Sequence, residues 1–209
     1  MAEEIEKVGI YGGTFSPIHM GHVRAALAFL REMKLDRLYV IPAALPPHKA
    51  EKSGVGAEAR LEMTRLAFAD CPETADGRLD VSDFEVRREG KSYSIYTLEH
   101  FSRPDRRLYM LVGTDMFLTL PTWYRAEDIF RLADIVLMRR ECDAQIGSEL
   151  DQRQKEYANR FGARIHIIGE RPLELSSTEL RERIRKGLPV EGLIPAKTAE
   201  YIEKNSLYR

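Results

Sequence analysis

Residues 8–33 read VGIYGGTFSPIHMGHVRAALAFLREM, and this stretch decides the fold. Val8–Tyr11 is a short apolar run of the kind that forms a buried strand. From Met20 to Met33 apolar side chains return at Val23, Ala26, Leu27 and Leu30, the i, i+3, i+4, i+7 spacing of a helix with one buried face. Two glycines, a proline and a histidine lie between them, and a second histidine, His22, falls in the first turn of the helix.

The same alternation runs through the rest of the chain. Strands are predicted at Leu38–Ile41, Leu79–Phe84, Leu108–Val112, Ile135–Met138 and Arg164–Ile168. Helices are predicted at Ala57–Ala69, Ser94–Phe101, Ala126–Ala133 and Glu149–Phe161, with two more, Thr178–Arg185 and Lys197–Glu203, near the end. Strands separated by helices imply right-handed crossovers and a mostly parallel sheet. The expected class is a doubly wound, Rossmann-like α/β fold with C-terminal helices, formed as a single domain over residues 1–209. Segment 43–56, rich in Pro, Gly and Lys, reads as a long loop, and 71–78 as a turn region.

Composition narrows the function. Hydrophobic residues make up 44% and charged residues 31% of the 209, ordinary for a globular protein. A formal charge of −1 argues against broad binding to nucleic acid, though a local basic patch could hold a small anion. Cys71 and Cys142 are far apart and suggest neither a disulfide framework nor a metal cluster, which fits a reducing cytosol. The first residues lack a cationic start followed by an apolar signal core, and no apolar run approaches the roughly 18 residues needed to cross a bilayer. A soluble, cytoplasmic protein is expected.

Two constellations carry chemistry. In GGTFSPIHMGH, Gly12–His22, the turn from first strand to first helix falls at the carboxyl end of a strand, where doubly wound folds bind ligands. Gly12 and Gly13 permit backbone angles and close approaches that other residues resist, and Pro17 restricts the turn. The helix start offers N–H groups and a positive dipole end to an anion. His19 and His22, three apart, share a face, and Gly21 would leave that face open to a bulky ligand. A surface pair or a weak metal site is the plainer account of two such histidines, but no third ligand supports zinc. The second constellation is SSTELR, Ser176–Arg181. A capping box, Ser176 with Glu179, explains it blandly. A hydroxyl-rich helix start beside a guanidinium also suits phosphate.

Here the chain resembles a known superfamily. GTFSPIHMGH is similar to the nucleotidylyltransferase motif G-x-F-x-P-x-H-x-G-H, and Ser176–Arg181 to its second motif, I-S-S-T-x-x-R, with Leu175 in place of isoleucine. The resemblance implies that Gly12, Gly13, Thr14, Phe15, His19, His22, Ser177, Thr178 and Arg181 bind ATP, with His19, His22 and Arg181 acting on the phosphates in catalysis. Three further segments, LPPHK (Leu45–Lys49), SYSIYTL (Ser92–Leu98) and GTDMFLTLPTWYR (Gly113–Arg125), resemble the bacterial nicotinate-nucleotide adenylyltransferases, as does the C-terminal tail. That family resemblance implies a mononucleotide site made by Ser94, Asp115, Trp123, Tyr124, His48 and Lys49. Trp123 would stack on the pyridine ring, Ser94 at a helix start would meet its carboxylate, and Asp115 would accept from a ribose. A buried core tryptophan, a helix cap at Asp115 and a solvated loop at His48–Lys49 are the plainer accounts of the same residues. Ser94 replaces the family's usual threonine and keeps the hydroxyl, whereas Tyr96 replaces its usual aspartate and removes a carboxylate.

The activity implied is transfer of the adenylyl group of ATP to nicotinic acid mononucleotide, giving nicotinic acid adenine dinucleotide and pyrophosphate. Mg²⁺ is expected with ATP, held by phosphates and water, because no cluster of carboxylates suggests a protein metal site. Expected partners are the two small-molecule substrates, with neither nucleic acid nor membrane, and a homo-oligomer is an open alternative. Rival readings are an adenylyltransferase for nicotinamide mononucleotide or phosphopantetheine, and a non-catalytic nucleotide sensor. Class I aminoacyl-tRNA synthetases use a related histidine element, but the chain has no basic excess and no room for a tRNA-binding domain.

Overall fold

The computed structural model describes residues 5–46, 54–139, 144–170, 173 and 175–209. Six strands, β1 (Glu6–Gly13), β2 (Arg37–Pro42), β3 (Leu79–Val81), β4 (Arg106–Gly113), β5 (Ala133–Met138) and β6 (Ile165–Ile168), form one sheet in the order β3-β2-β1-β4-β5-β6. The β1–β4, β4–β5 and β5–β6 pairings are parallel, as a chain that returns through helices requires. The helices are α1 (Met20–Glu32), α2 (Ala57–Phe68), α3 (Pro72–Ala75), α4 (Phe84–Arg87), α5 (Ser94–Phe101), α6 (Thr114–Thr119), α7 (Ala126–Leu132), α8 (Ala144–Phe161), α9 (Ser177–Arg185) and α10 (Ala196–Lys204). This is the expected doubly wound fold. Strand numbering reverses between β1 and β4, the topology in which such sheets open to ligands beyond their carboxyl ends. Among the described residues no helix is long and apolar enough to cross a membrane.

Several boundaries differ from expectation for local reasons. The strand predicted over Leu79–Phe84 stops at Val81, because the Ser82 hydroxyl accepts from the Phe84 amide and turns the chain into α4. Within 71–78 Pro72 opens a single helical turn, where its missing N–H costs nothing. Helix α8 starts before Glu149, at Ala144, carrying Gly147 inside it. In α1, Val23, Ala26 and Leu30 are buried as expected, Leu27 is only partly so, and Ala25, Ala28 and Phe29 are buried as well. The band is wider than one face.

The chain forms two compact units. One comprises Met1–Tyr11, Ala28–Leu38 and Tyr93–Pro172. Its strands β4 and β5 are near-continuous apolar runs, with Leu108–Val112 and all of Ala133–Met138 buried, as central parallel strands must be. A side chain at Gly9 would meet Leu35 Cδ1 at 2.5 Å and Phe29 Cε1 at 2.9 Å, so glycine lets that packing close on β1. Phe117, Phe130, Tyr157 and Phe161 form a ring cluster beneath α6, α7 and α8. The fully buried Tyr157 satisfies its hydroxyl on the Phe117 carbonyl at 3.0 Å. The other unit comprises Gly12–Leu27, Tyr39–Ser92 and Leu173–Arg209. There α10 packs on α2, and the buried Thr198 hydroxyl donates to the Met63 carbonyl.

Candidate functional site

The ATP candidates fall in one unit, and Ser94, Asp115, Trp123 and Tyr124 fall in the other. In the unit containing Gly12–Leu27, β1 ends at Gly13 and the chain turns sharply at Phe15, whose φ of 49° is left-handed. Neither Gly12 nor Gly13 has a positive φ, so the angular freedom expected of the glycines is not what they supply. Room is. A side chain at Gly13 would come within 2.5 Å of the Phe15 ring, and one at Gly12 would meet nothing within 4 Å, leaving open space over that backbone. Phe15 is 2% exposed and meets the His22 ring edge-on at 5.1 Å. It backs His22 from inside the fold.

His19 immediately precedes α1 and His22 lies in its first turn. Their rings stack at 3.7 Å with planes 30° apart. His19 is 4% exposed, and His22 is partly open. The His19 amide donates to His22 Nδ1 at 3.3 Å, so in the neutral ring the proton sits on Nε2, a donor for an anion. At Gly21 the missing side chain makes room for the His19 ring, 3.0 Å from where a Cβ would stand. The helix start is less open than expected. The Met20 amide donates to the Leu193 carbonyl, and those of His22 and Val23 to the His19 carbonyl. An anion here would be met by side chains more than by a row of amides.

Helix α9 is docked on this turn. Ser176 caps it, its hydroxyl accepting from the Glu179 amide at 3.1 Å, which is the serine half of the expected capping box. The next residue turns the other way, with Ser177 Oγ donating to the Pro17 carbonyl at 3.0 Å. Arg181 spreads its fork, Nη1 to the Ser16 carbonyl at 2.7 Å and Nη2 to Thr178 Oγ1 at 3.0 Å. Two motifs far apart in sequence thus share one loop.

Of the second set, Ser94, Asp115, Trp123 and Tyr124 lie in the unit containing Tyr93–Pro172. Ser94 is the first residue of α5, partly buried, with Tyr93 in the capping position. Asp115 is exposed in the first turn of α6, just past the carboxyl end of β4. It is not the helix cap, since Gly113 holds that position in extended conformation. Trp123 follows a 3₁₀ turn over Leu120–Thr122 and is partly exposed, not a core tryptophan. Its amide donates to the Leu120 carbonyl at 3.1 Å. Tyr124 is 47% exposed, its ring 4.7 Å from that of Tyr93. Arg125 bonds Asp128, whose carboxyl is held below its ordinary range by that hydrogen bond. His48, Lys49 and Cys142 lie outside the described residues.

Known proteins are similar to this chain. A cytidylyltransferase-like family model matches residues 10–183. A probable nicotinate-nucleotide adenylyltransferase of Clostridium tetani is 34% identical over 98% of this chain and 100% of its own length. One of Carboxydothermus hydrogenoformans is 37% identical over 97% of this chain and 98% of its own. The chain belongs to the nicotinate-nucleotide adenylyltransferase family. A solved structure of Plasmodium falciparum nicotinic acid mononucleotide adenylyltransferase, complexed with NaAD, shares the fold at a TM-score of 0.74 over 97% of both chains, at 18% identity.

For a nicotinate-nucleotide adenylyltransferase, sequence reasoning missed one residue that shapes the first turn. Arg60 of α2 is 0% exposed and donates to three backbone carbonyls, those of Thr14 (2.9 Å), Ala43 and Ala44 (3.0 Å). It ties the segment after β1 to the segment after β2. The available signal was an arginine in helical register with the buried Met63, Thr64 and Ala67. Tyr208, whose hydroxyl meets Ser16 Oγ at 3.1 Å, had no such signal. Ser92 was quoted only as part of a motif. Its hydroxyl accepts from the amides of Ala44 (2.9 Å) and Leu45 (3.2 Å), pinning the segment after β2. Among the described residues no group of three or more His, Cys, Asp or Glu could hold a metal.

Proposed function

We infer that this adenylyltransferase joins the phosphate of nicotinic acid mononucleotide to the α-phosphate of ATP and releases pyrophosphate. The observation that carries this reading is the docking of Arg181 and Ser177 on the Ser16 and Pro17 carbonyls, beside the stacked His19 and His22. The imidazoles, the Thr178 hydroxyl and the Arg181 guanidinium together make a donor set for phosphate oxygens. The open backbone at Gly12 lets a triphosphate approach.

The mononucleotide brings its own nucleophile. One of its phosphate oxygens bonds to the α-phosphorus as the bond from that phosphorus to the bridging oxygen breaks, and that oxygen leaves with pyrophosphate. No protein nucleophile is needed, because a phosphate is already ionised at neutral pH. The chain aligns the two phosphates and neutralises charge. His22 donates from Nε2 and His19 supports it through the stack. Arg181, held by Ser16 and Thr178, adds a fixed positive charge. Mg²⁺, expected with ATP, would be held by the ATP phosphates and water and would supply further charge neutralisation. The donor set described suits phosphate and not the ion itself.

Trp123 stacks on the pyridine ring and Tyr124 extends the same aromatic surface. Ser94 meets the carboxylate at the start of α5, a setting that favours nicotinate over the neutral amide. Asp115 accepts from a ribose hydroxyl, and His48 and Lys49 close over phosphate. A cytosolic setting fits the ATP supply. Pyrophosphate release, measured with ATP and a panel of nicotinic acid mononucleotide, nicotinamide mononucleotide and phosphopantetheine, tests the reading. Fastest turnover of the acid mononucleotide is expected. Preference for another acceptor would reassign the substrate, and no turnover of any would leave a nucleotide sensor.

A further inference from the structure

Tyr96, read from the sequence only as a missing carboxylate, has surroundings that give its ring a use. Tyr93 and Tyr96 both belong to the start of α5. Their rings close on Tyr124 at 4.7 Å and 6.0 Å and lie 6.1 Å from each other, all within the range of favourable tilted and edge contacts. The next residue, Arg125, takes a left-handed conformation (φ 55°, ψ 45°), which costs a side-chain-bearing residue energy and needs support. Support comes from Glu99, one turn beyond Tyr96 on α5, whose carboxylate lies 2.8 Å from Arg125 Nη1, and from Asp128 at 2.6 Å from Nε. Both residues that follow Trp123 are therefore fastened to α5, the helix that begins with Ser94. The Trp123 backbone is also closed on itself by bonds with Leu120 and Ala126.

We propose that Tyr96 and Glu99 are positioning residues that hold Trp123 at a set place relative to Ser94, so that α5 and the Trp123 turn act as one preformed wall for the pyridine mononucleotide. The proposal rests on the reading of Trp123 and Ser94 as mononucleotide contacts. Rings on one side and an ion pair on the other restrain the turn before ligand arrives, which lowers the entropy lost on binding. An aspartate at position 96 could not make the ring contacts.

Trp123 is the only tryptophan, so its fluorescence reports the wall without any ligand. In Tyr96→Leu and Glu99→Gln, folded by circular dichroism, acrylamide quenching of the unliganded protein should rise and emission anisotropy should fall. The KM for nicotinic acid mononucleotide should rise about three- to tenfold for Tyr96→Leu, the scale of lost aromatic pairs, with kcat and the KM for ATP little changed. Tyr96→Phe, which keeps the ring, should rescue both readouts. Unchanged quenching in both folded variants would overturn the proposal. So would raised quenching with no change in the mononucleotide KM, if Trp123→Ala does raise that KM. If Trp123→Ala leaves the KM unchanged, the pyridine assignment itself fails, and the proposal falls with it even where quenching rises.

Discussion

Around Ser16 and Pro17 the chain is held by directional bonds to backbone carbonyls, whereas around Trp123 it is held by ring contacts and exposed ion pairs. The first region draws on Arg60, Arg181 and Ser177, each donating to a carbonyl, with Arg60 fully buried. The second draws on Tyr93, Tyr96 and Tyr124 and on Arg125 between Glu99 and Asp128. Buried hydrogen bonds have narrow geometry and are costly to leave unmade. Aromatic contacts tolerate several angles and cost less to lose. On the proposed assignments, a triphosphate that must react at one phosphorus needs the first kind of support, and a flat ring that must only be gripped can use the second.

That contrast can be broken by four measurements, in falling order of expected effect. His22→Ala should lower kcat by roughly 10²–10³, the loss of one preorganised donor, with the fold intact by circular dichroism. Near-normal turnover would remove His22 from the chemistry. Arg60→Met should destabilise the fold by about 3 kcal/mol in urea unfolding, because three carbonyls lose their donor at once. It should also raise the KM for ATP while sparing that for the mononucleotide. Trp123→Ala should weaken mononucleotide binding by about 1–3 kcal/mol in calorimetric titration, with ATP affinity nearly unchanged. Equal losses for both ligands would erase the distinction between the regions.

The smallest effect is expected at Asp134, a control in the same unit as Trp123 but near the amino end of β5. Burial would push its carboxyl up, but hydrogen bonds from His166, Arg107 and Arg164 outweigh this and hold it below the ordinary range. A carboxyl whose folded-state pKa is depressed adds stability above its unfolded value, near 3.9, and loses it as pH falls through the folded value. Asp134→Asn should therefore cost about 1 kcal/mol at neutral pH, since both arginines remain half in water and can be solvated. The gap from the parent protein should shrink below about pH 4, read by denaturant unfolding across pH. Both KM values should stay put.

Legibility along the chain followed the range of the forces involved. Strand and helix positions were readable because apolar periodicity is a local property, and the six strands and seven longer helices appear where they were expected. Phe84 was misplaced because one hydroxyl, Ser82, ended a strand that hydrophobicity alone would extend. Asp115 was weighed as a cap because aspartate favours caps, yet Gly113, two residues earlier, already has the capping geometry. Tyr96 was readable only as a missing carboxylate, since its gain, a ring against Tyr124, joins segments distant along the chain.

The residue types proposed to meet phosphate and pyridine, and the fold that carries them, were written in local order: glycines, paired histidines, a serine-rich helix start, a lone tryptophan. Which of them touch was a matter of packing. Arg60 reaching three carbonyls, Arg181 reaching Ser16 and Tyr96 reaching Tyr124 all bridge separations that no periodicity records. Short-range propensities act through neighbouring residues. Hydrogen bonds and ring contacts of this kind form only once the backbone has brought distant segments within a few ångströms.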